Sequence, residues 1–231
     1  MSLIVALDFP KLEPCQKLLK ELAGLVPLYK IGSELFTAHG WEAVELVHRS
    51  GAKVFLDLKL HDIPTTAAKT SRVIAQRGIF MFNVHTLGGF EMMRQARAAL
   101  DEASKGKSRP LLLGVTILTS HDETTLSQEL GIPRSLQEEV LALARLGKRA
   151  GLDGVISSPE ETELLRREFG KEFILVTPGI RPSVAERHDQ KRSLTPREAV
   201  RKGANYLVIG RPITEAANPR QAVQEVLHSL G

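Results

Sequence analysis

Short apolar runs rich in β-branched residues alternate along the chain with segments of helical periodicity. The runs fall at 3–7, 28–31, 53–59, 79–84, 111–118, 154–157, 173–177 and 206–209. Between them come amphipathic stretches such as CQKLLKELAGL, WEAVELVHRSG, TAAKTSRVIAQRG, FEMMRQARAALDEA, LQEEVLALARLGKRAG, PEETELLRREFG and PREAVRKGA, and PRQAVQEVLHSLG ends the series. Pro159, Pro196 and Pro219 stand where a first-turn proline belongs, and Gly51, Gly78, Gly151, Gly170 and Gly203 stand at helix ends. Nearly continuous hydrophobic strands separated by helices predict a parallel sheet covered by helices. About eight such units in 231 residues, roughly 29 residues each, predict a single-domain (β/α)8 TIM barrel over residues 1–231. The competing architecture, an open doubly wound sheet, places a glycine-rich turn after its first strand, and ALDFPKLEP has none. No low-complexity stretch divides the chain; KGKSRP and EETTLSQELGIPRS read as loops.

The segment FLDLKLHDIP breaks the apolar pattern. Phe55, Leu56, Leu58 and Leu60 suit a buried strand, but Asp57, Lys59, His61 and Asp62 do not. In a parallel barrel, functional groups lie at the C-terminal strand ends and in the loops that follow. Out-of-place polar residues fall there repeatedly: Asp8 after the first strand, Lys30 at the end of the second, Asp57 and Lys59 at the third, Thr119 and Ser120 after the fifth, Arg181 after the seventh and Arg211 after the eighth. Period-2 alternation puts Asp57 and Lys59 on one face, with Leu58 and Leu60 on the other. Because the outer face packs on helices, the charged pair is expected to face the barrel axis. Buried charges need partners, and Lys30 on the neighbouring strand supplies a second cation for Asp57. At ~4 Å and an effective dielectric of 20, such a pair interacts by ~4 kcal/mol, enough to keep both groups ionised.

TPGIRP and VIGRPI, after the seventh and eighth strands, each pair a glycine with an arginine. Glycine lets backbone N–H groups approach an anion and arginine adds forked donors, so these loops read as a phosphate grip, a frequent feature of this position in barrels. His61 is set aside as a loop or backbone contact. His39, His85 and His121 lack the i, i+4 partner that a helical metal pair needs, so no metal is expected.

Composition narrows the function. With 42% hydrophobic and 25% charged residues the chain is an ordinary globular one, and no apolar run approaches the ~18 residues that span a membrane, so no membrane partner is expected. MSLIVALDFP has no basic leader and reaches an acid at Asp8, so it reads as a first strand and not a signal peptide. A single cysteine, Cys15, excludes an internal disulfide or a cysteine metal cluster, and a cytoplasmic location follows as the expectation. The net charge of +4 raises the question of nucleic acid, but Lys and Arg are scattered, and only two Tyr, one Trp and eight Phe are available for base stacking. No nucleic-acid partner is expected; a small anionic substrate suits the charge at least as well.

FLDLKLHDIPTT resembles the signature of the orotidine 5′-phosphate decarboxylase family, whose members make UMP. The resemblance runs through VALDF, YKIG, the Asp-x-Lys-x-x-Asp segment, VTILTS, VTPGIRP, the Gln190 loop and VIGRPI; Thr65 stands where many relatives carry Asn. It implies that Asp8 and Lys30 hold ribose hydroxyls, with Lys30 bridging to Asp57, and that Lys59 delivers a proton to C6 of the pyrimidine. It further implies that Asp62 enters the site of the partner subunit in a homodimer, with Thr66 nearby. Thr119 and Ser120 then border the pyrimidine, while Arg181, Gln190, Gly210 and Arg211 bind the phosphate. No cofactor is implied. Two alternatives remain: a Mg²⁺-dependent 3-keto-gulonate-6-phosphate decarboxylase or hexulose-phosphate synthase of the same superfamily, and a non-catalytic barrel that binds a phosphate ligand. The metal-dependent sisters need an acid at the end of strand 2, where this chain carries Lys30.

Overall fold

A computed structural model describes residues 2–181 and 194–230. The strands are β1 (Ser2–Ala6), β2 (Leu28–Gly32), β3 (Lys53–Leu60), β4 (Met81–His85), β5 (Leu111–Val115), β6 (Gly154–Ile156), β7 (Ile174–Thr177) and β8 (Tyr206–Ile209). They pair in sequence order, all parallel, and β8 closes on β1. The helices are α1 (Leu12–Glu21), α2 (Ser33–His39), α3 (Trp41–Arg49), α4 (Pro64–Ala75), α5 (Gly89–Ala103), α6 (Leu136–Arg149), α7 (Thr162–Phe169), α8 (Pro196–Arg201), α9 (Arg211–Thr214) and α10 (Pro219–Leu230). The expected (β/α)8 barrel is the fold.

Strand alternation sorts the core into two shells. Ile4, Ala6, Leu28, Phe55, Met81, Leu113, Val176 and Val208 meet inside the barrel. Val5, Tyr29, Ile31, Leu56, Phe82 and Val84, one position out of phase, join the helices in a larger outer cluster. Filling the interior with branched side chains makes the barrel a solid core rather than a pore.

Most predicted strand bounds shift by a residue or so, and some shifts have a clear local reason. The fifth strand ends at Val115 and not at 118, because β6 is only three residues long and its register with β5 stops at Val115–Ile156. The chain beyond is held by a side chain instead, the Thr116 hydroxyl donating to the Ile156 carbonyl at 3.2 Å. The fourth strand runs from Met81 to His85, two residues later than its apolar pattern begins. Pro159 does not open a helix. The backbone N–H and hydroxyl of Ser158 both donate to the Glu161 carboxylate, closing a turn, and α7 starts only at Thr162. Pro196 and Pro219 do open α8 and α10.

Close approach requires glycine at one point in the sheet. A Cβ on Gly154 would lie 2.0 Å from the Ile174 carbonyl oxygen, so only glycine lets β6 and β7 come together there. At the opposite end from the strand C-termini, Asp153 accepts from Arg109 at 2.7 and 2.8 Å, from Arg97 at 3.1 Å and from the Leu112 N–H at 2.8 Å. That network ties β5 and β6 to α5 and leaves the other mouth for chemistry.

Candidate active site

The alternation that builds the inner apolar shell also builds a polar layer above it. Two positions beyond Ala6, Leu28, Phe55, Met81 and Val208, on the same strands or just past them, come Asp8, Lys30, Asp57, Asn83 and Gly210. A period of 2 returns each to the axis side.

The charged members form an alternating chain. Asp8 Oδ1 lies 2.9 Å from Lys30 Nζ, Lys30 Nζ lies 3.5 Å from Asp57 Oδ2, and Asp57 Oδ1 lies 2.9 Å from Lys59 Nζ. Asp57 has a side chain only 10% exposed, and it is held by two cations and by the Asn83 amide, which donates to its Oδ1 at 2.6 Å. Burial alone would push the Lys30 ammonium toward losing its proton, but the attraction of Asp57 and Asp8 outweighs it, and the lysine's pKa ends above its ordinary value. Lys30 is therefore a fixed cation. Gly32 makes room for it: a Cβ there would sit 3.2 Å from Lys30 Nζ and 3.3 Å from Asp8 Oδ1.

Lys59 reaches Asp57 by a less regular route than alternation predicts. Between Leu56 and Leu60 the β3–β4 register slips, with four steps along β3 matched by two along β4. Lys59 sits in this irregularity at φ 52°, the left-handed region, and no other described non-glycine residue has a positive φ. Leu58 and Leu60 still pack on the outer cluster, so the expected sorting of the segment holds although the strand is not straight.

Asp8, Lys30, Asp57 and Lys59 line a cavity of about 420 Å³, a suitable size for a small molecule. Thr119, Arg181, Gly210 and Arg211 also line it, and Phe55, Val115, Ile117, Ile156, Pro178 and Val208 supply apolar wall. Arg181 is buried, and its backbone N–H donates to the Leu194 carbonyl at 3.0 Å. The cavity wall thus combines a charged chain, apolar side chains and two arginines.

Asp62, Thr66 and Ser120 are exposed and stand off the cavity wall. Asp62 Oδ1 accepts the Ile63 N–H at 2.7 Å, in the turn before α4. Gln190 lies outside the described residues. Asn83 and Gly32 were not singled out from the sequence. Asn83 had a signal, a polar residue inside the apolar run MFNVH, in phase with the inward positions of its strand.

Other reactive groups do not line the cavity. The His61 and His85 rings are 5.5 Å between centroids, and burial, followed by the neighbouring His61 and Lys59, lowers the His85 pKa. Cys15 is buried, and desolvation pushes its thiol up to about 12, so it is no nucleophile. Among the described residues no three His, Cys, Asp or Glu side chains come together as metal ligands, and no helix is long and apolar enough to cross a membrane.

Residues 1–226 match the model of the orotidine 5′-phosphate decarboxylase / HUMPS family. The chain belongs to that family. An orotidine 5′-phosphate decarboxylase from Geotalea daltonii is 48% identical over 229 residues, covering 99% of this chain and 95% of the relative. One from Geobacter metallireducens is also 48% identical over 229 residues, with the same coverage of 99% and 95%. The crystal structure of orotidine 5′-phosphate decarboxylase from Lactobacillus acidophilus matches with a TM-score of 0.88 at 38% identity, covering 100% of this chain and 99% of that one. The segments around Asp8, Lys30, Asp57 and Arg211 converge on one cavity at this mouth of the barrel.

Proposed function

We propose that this chain decarboxylates orotidine 5′-monophosphate to UMP without a cofactor, at the cavity lined by Lys59 and Arg211. The observation that carries the proposal is the alternating Asp8–Lys30–Asp57–Lys59 chain in the wall of a cavity that Gly210, Arg181 and Arg211 also line. Breaking the C6–carboxylate bond releases CO₂ and leaves the electron pair on C6, in an orbital that the ring π-system cannot delocalise. Stabilisation must then be electrostatic, and a fixed ammonium beside C6 attracts the carbanion far more than the carboxylated ground state. Lys59 supplies that ammonium and then its proton, giving the C6–H of UMP and a neutral amine that recovers its proton from solvent. Asp57, 2.9 Å away, holds the ammonium in place, while Asp8 and Lys30 face the ribose hydroxyls. Thr119, with Ser120 following it, borders the pyrimidine, and Gln190 joins the arginines on the phosphate. Gripping the phosphate far from C6 puts binding energy to use in ordering the charged chain.

We assign Asp62, with Thr66 beside it, to the site of a second subunit in a two-fold homodimer. Exposed apolar side chains on the same flank support this: Ile63 is 64% exposed and Val73, Leu87 and Phe90 are exposed as well, on α4 and around the start of α5. We place the reaction in the cytoplasm, where a chain with one buried cysteine and no disulfide is at home.

The direct test is the loss of orotidine absorbance when protein is added to orotidine 5′-monophosphate, with and without EDTA. Turnover should survive exhaustive chelation, because Lys30, held as an ammonium, occupies the place of the sister enzymes' metal ligand. Loss of activity with EDTA and rescue by Mg²⁺ would point to those sisters instead, and no turnover of any phosphate ester would favour a binding protein. The phosphate assignment has its own check. Arg211→Ala should raise KM about 100-fold or more with a smaller change in kcat, in line with ~3 kcal/mol for a charge-assisted pair, and should leave affinity for the bare nucleoside nearly unchanged. Equal losses for nucleoside and nucleotide would contradict the phosphate role.

A further inference from the structure

We propose that Asn83 is the positioning residue that holds Lys59 in its working geometry, an inference that rests on the decarboxylase reading above. Its amide closes a ring of contacts. The Lys59 backbone N–H donates to Asn83 Oδ1 at 2.8 Å, Asn83 Nδ2 donates to Asp57 Oδ1 at 2.6 Å, and Lys59 Nζ meets that same Asp57 oxygen at 2.9 Å. One side chain thereby fixes both the backbone and, through Asp57, the ammonium of the same lysine.

The need for such a clamp follows from the backbone. Lys59 occupies left-handed φ space that a residue with a Cβ adopts only when its surroundings enforce it, and it does so where the β3–β4 register slips. Regular strand pairing does not set its position, so a side chain from β4 does. Asn is well matched to this place. It offers an acceptor and a donor in one short planar group, and the orientation of the amide is settled because Lys59 N–H can only donate and the Asp57 carboxylate accepts. It is also neutral, so the alternation of two acids and two lysines is undisturbed. Asn83 is 1% exposed and is not part of the cavity wall, so it acts through Lys59 and Asp57 and not on substrate.

The test uses the full chain with orotidine 5′-monophosphate and two variants. Asn83→Ala should lower kcat about 100-fold, the scale of a small misplacement of a reacting group, while KM and the affinity for UMP stay within about threefold. Asn83→Asp keeps the acceptor for Lys59 N–H but sets a second carboxylate against Asp57. Two carboxylates at that distance raise the pKa of one of them. Protonated, the new acid donates to Asp57 as the amide does; ionised, it repels Asp57 and competes for Lys59. Its kcat should therefore be highest at low pH and fall as pH rises, a descending limb that the unaltered protein measured alongside lacks. Asn83→Ala with kcat within threefold of the unaltered protein, or with kcat intact and only a lowered melting temperature, would overturn the proposal. A pH profile of Asn83→Asp parallel to that of the unaltered protein would overturn it too, and that variant decides the matter if the alanine form does not fold. Indifferent variants of an active protein refute the role of Asn83 alone, whereas an unaltered protein inactive on the nucleotide refutes the decarboxylase reading and this inference with it.

Discussion

Lys59→Ala should lower kcat by at least about 10⁴-fold, some 5.5 kcal/mol of transition-state stabilisation, while affinity for UMP stays within a few-fold. The asymmetry is the point. An ammonium near C6 has little to gain from bound UMP, whose C6 carries only hydrogen, and most to gain from a carbanion, so its removal should appear in kcat and not in affinity for UMP. The fold should tolerate the change. The Lys59 side chain is 36% exposed, and after truncation Asp57 keeps Lys30 at 3.5 Å and the Asn83 amide at 2.6 Å, so no buried carboxylate is stranded. Alanine also inherits the left-handed backbone without adding to its strain, since both residues carry a Cβ. Steady-state kinetics with parallel UMP titration is the measurement. A fall in kcat of less than about tenfold, ~1.4 kcal/mol, would show that Lys59 is not the proton donor.

Mixing two inactive variants, Lys59→Ala and Asp62→Asn, should restore activity. Asp62 lies past the end of β3 in the turn HDIP, where Pro64 opens α4, and its carboxylate is exposed and off the wall of its own cavity. A group placed there points outward over the barrel rim more readily than back toward its own axis. In a two-fold dimer each chain would lend its Asp62 and receive the other's. A mixed dimer then has one site with both defects and one with neither. Random re-pairing of equal amounts makes about half of the dimers mixed, so roughly a quarter of all sites should be fully competent. If Asp62 served its own chain, every site would carry one defect and mixing would recover nothing. A flat result, with subunit exchange verified by mass, would sink the shared site and leave the decarboxylase reading standing.

The barrel and most of its charged mouth were legible because both follow from period. Apolar runs at strand length, separated by helical stretches, leave few ways to bury both sheet faces, and Ala6, Leu28, Phe55 and Val208 set the phase that carries Asp8, Lys30, Asp57 and Gly210 to the axis. Sequence reading was poorer at ends and irregularities. The fifth strand looked three residues too long because apolar residues continue through Leu118, whereas a strand lasts only as far as its neighbour, and β6 is short. Pro159 looked like a helix start because its partner, the Ser158–Glu161 turn, forms only once Glu161 folds back.

By itself, then, the sequence determined the order of elements, which residues face the axis and which charges must meet there, since these depend on local periodicity and on the cost of burying an unpaired charge. Tertiary structure decided how they meet. The register slip between β3 and β4, the positive φ of Lys59 and the Asn83 amide that receives its N–H, 24 residues on in the chain, all arise between two neighbouring strands. Hydrogen bonds across that separation obey no repeat along the sequence; they exist only when the closed barrel fixes two backbones at one distance.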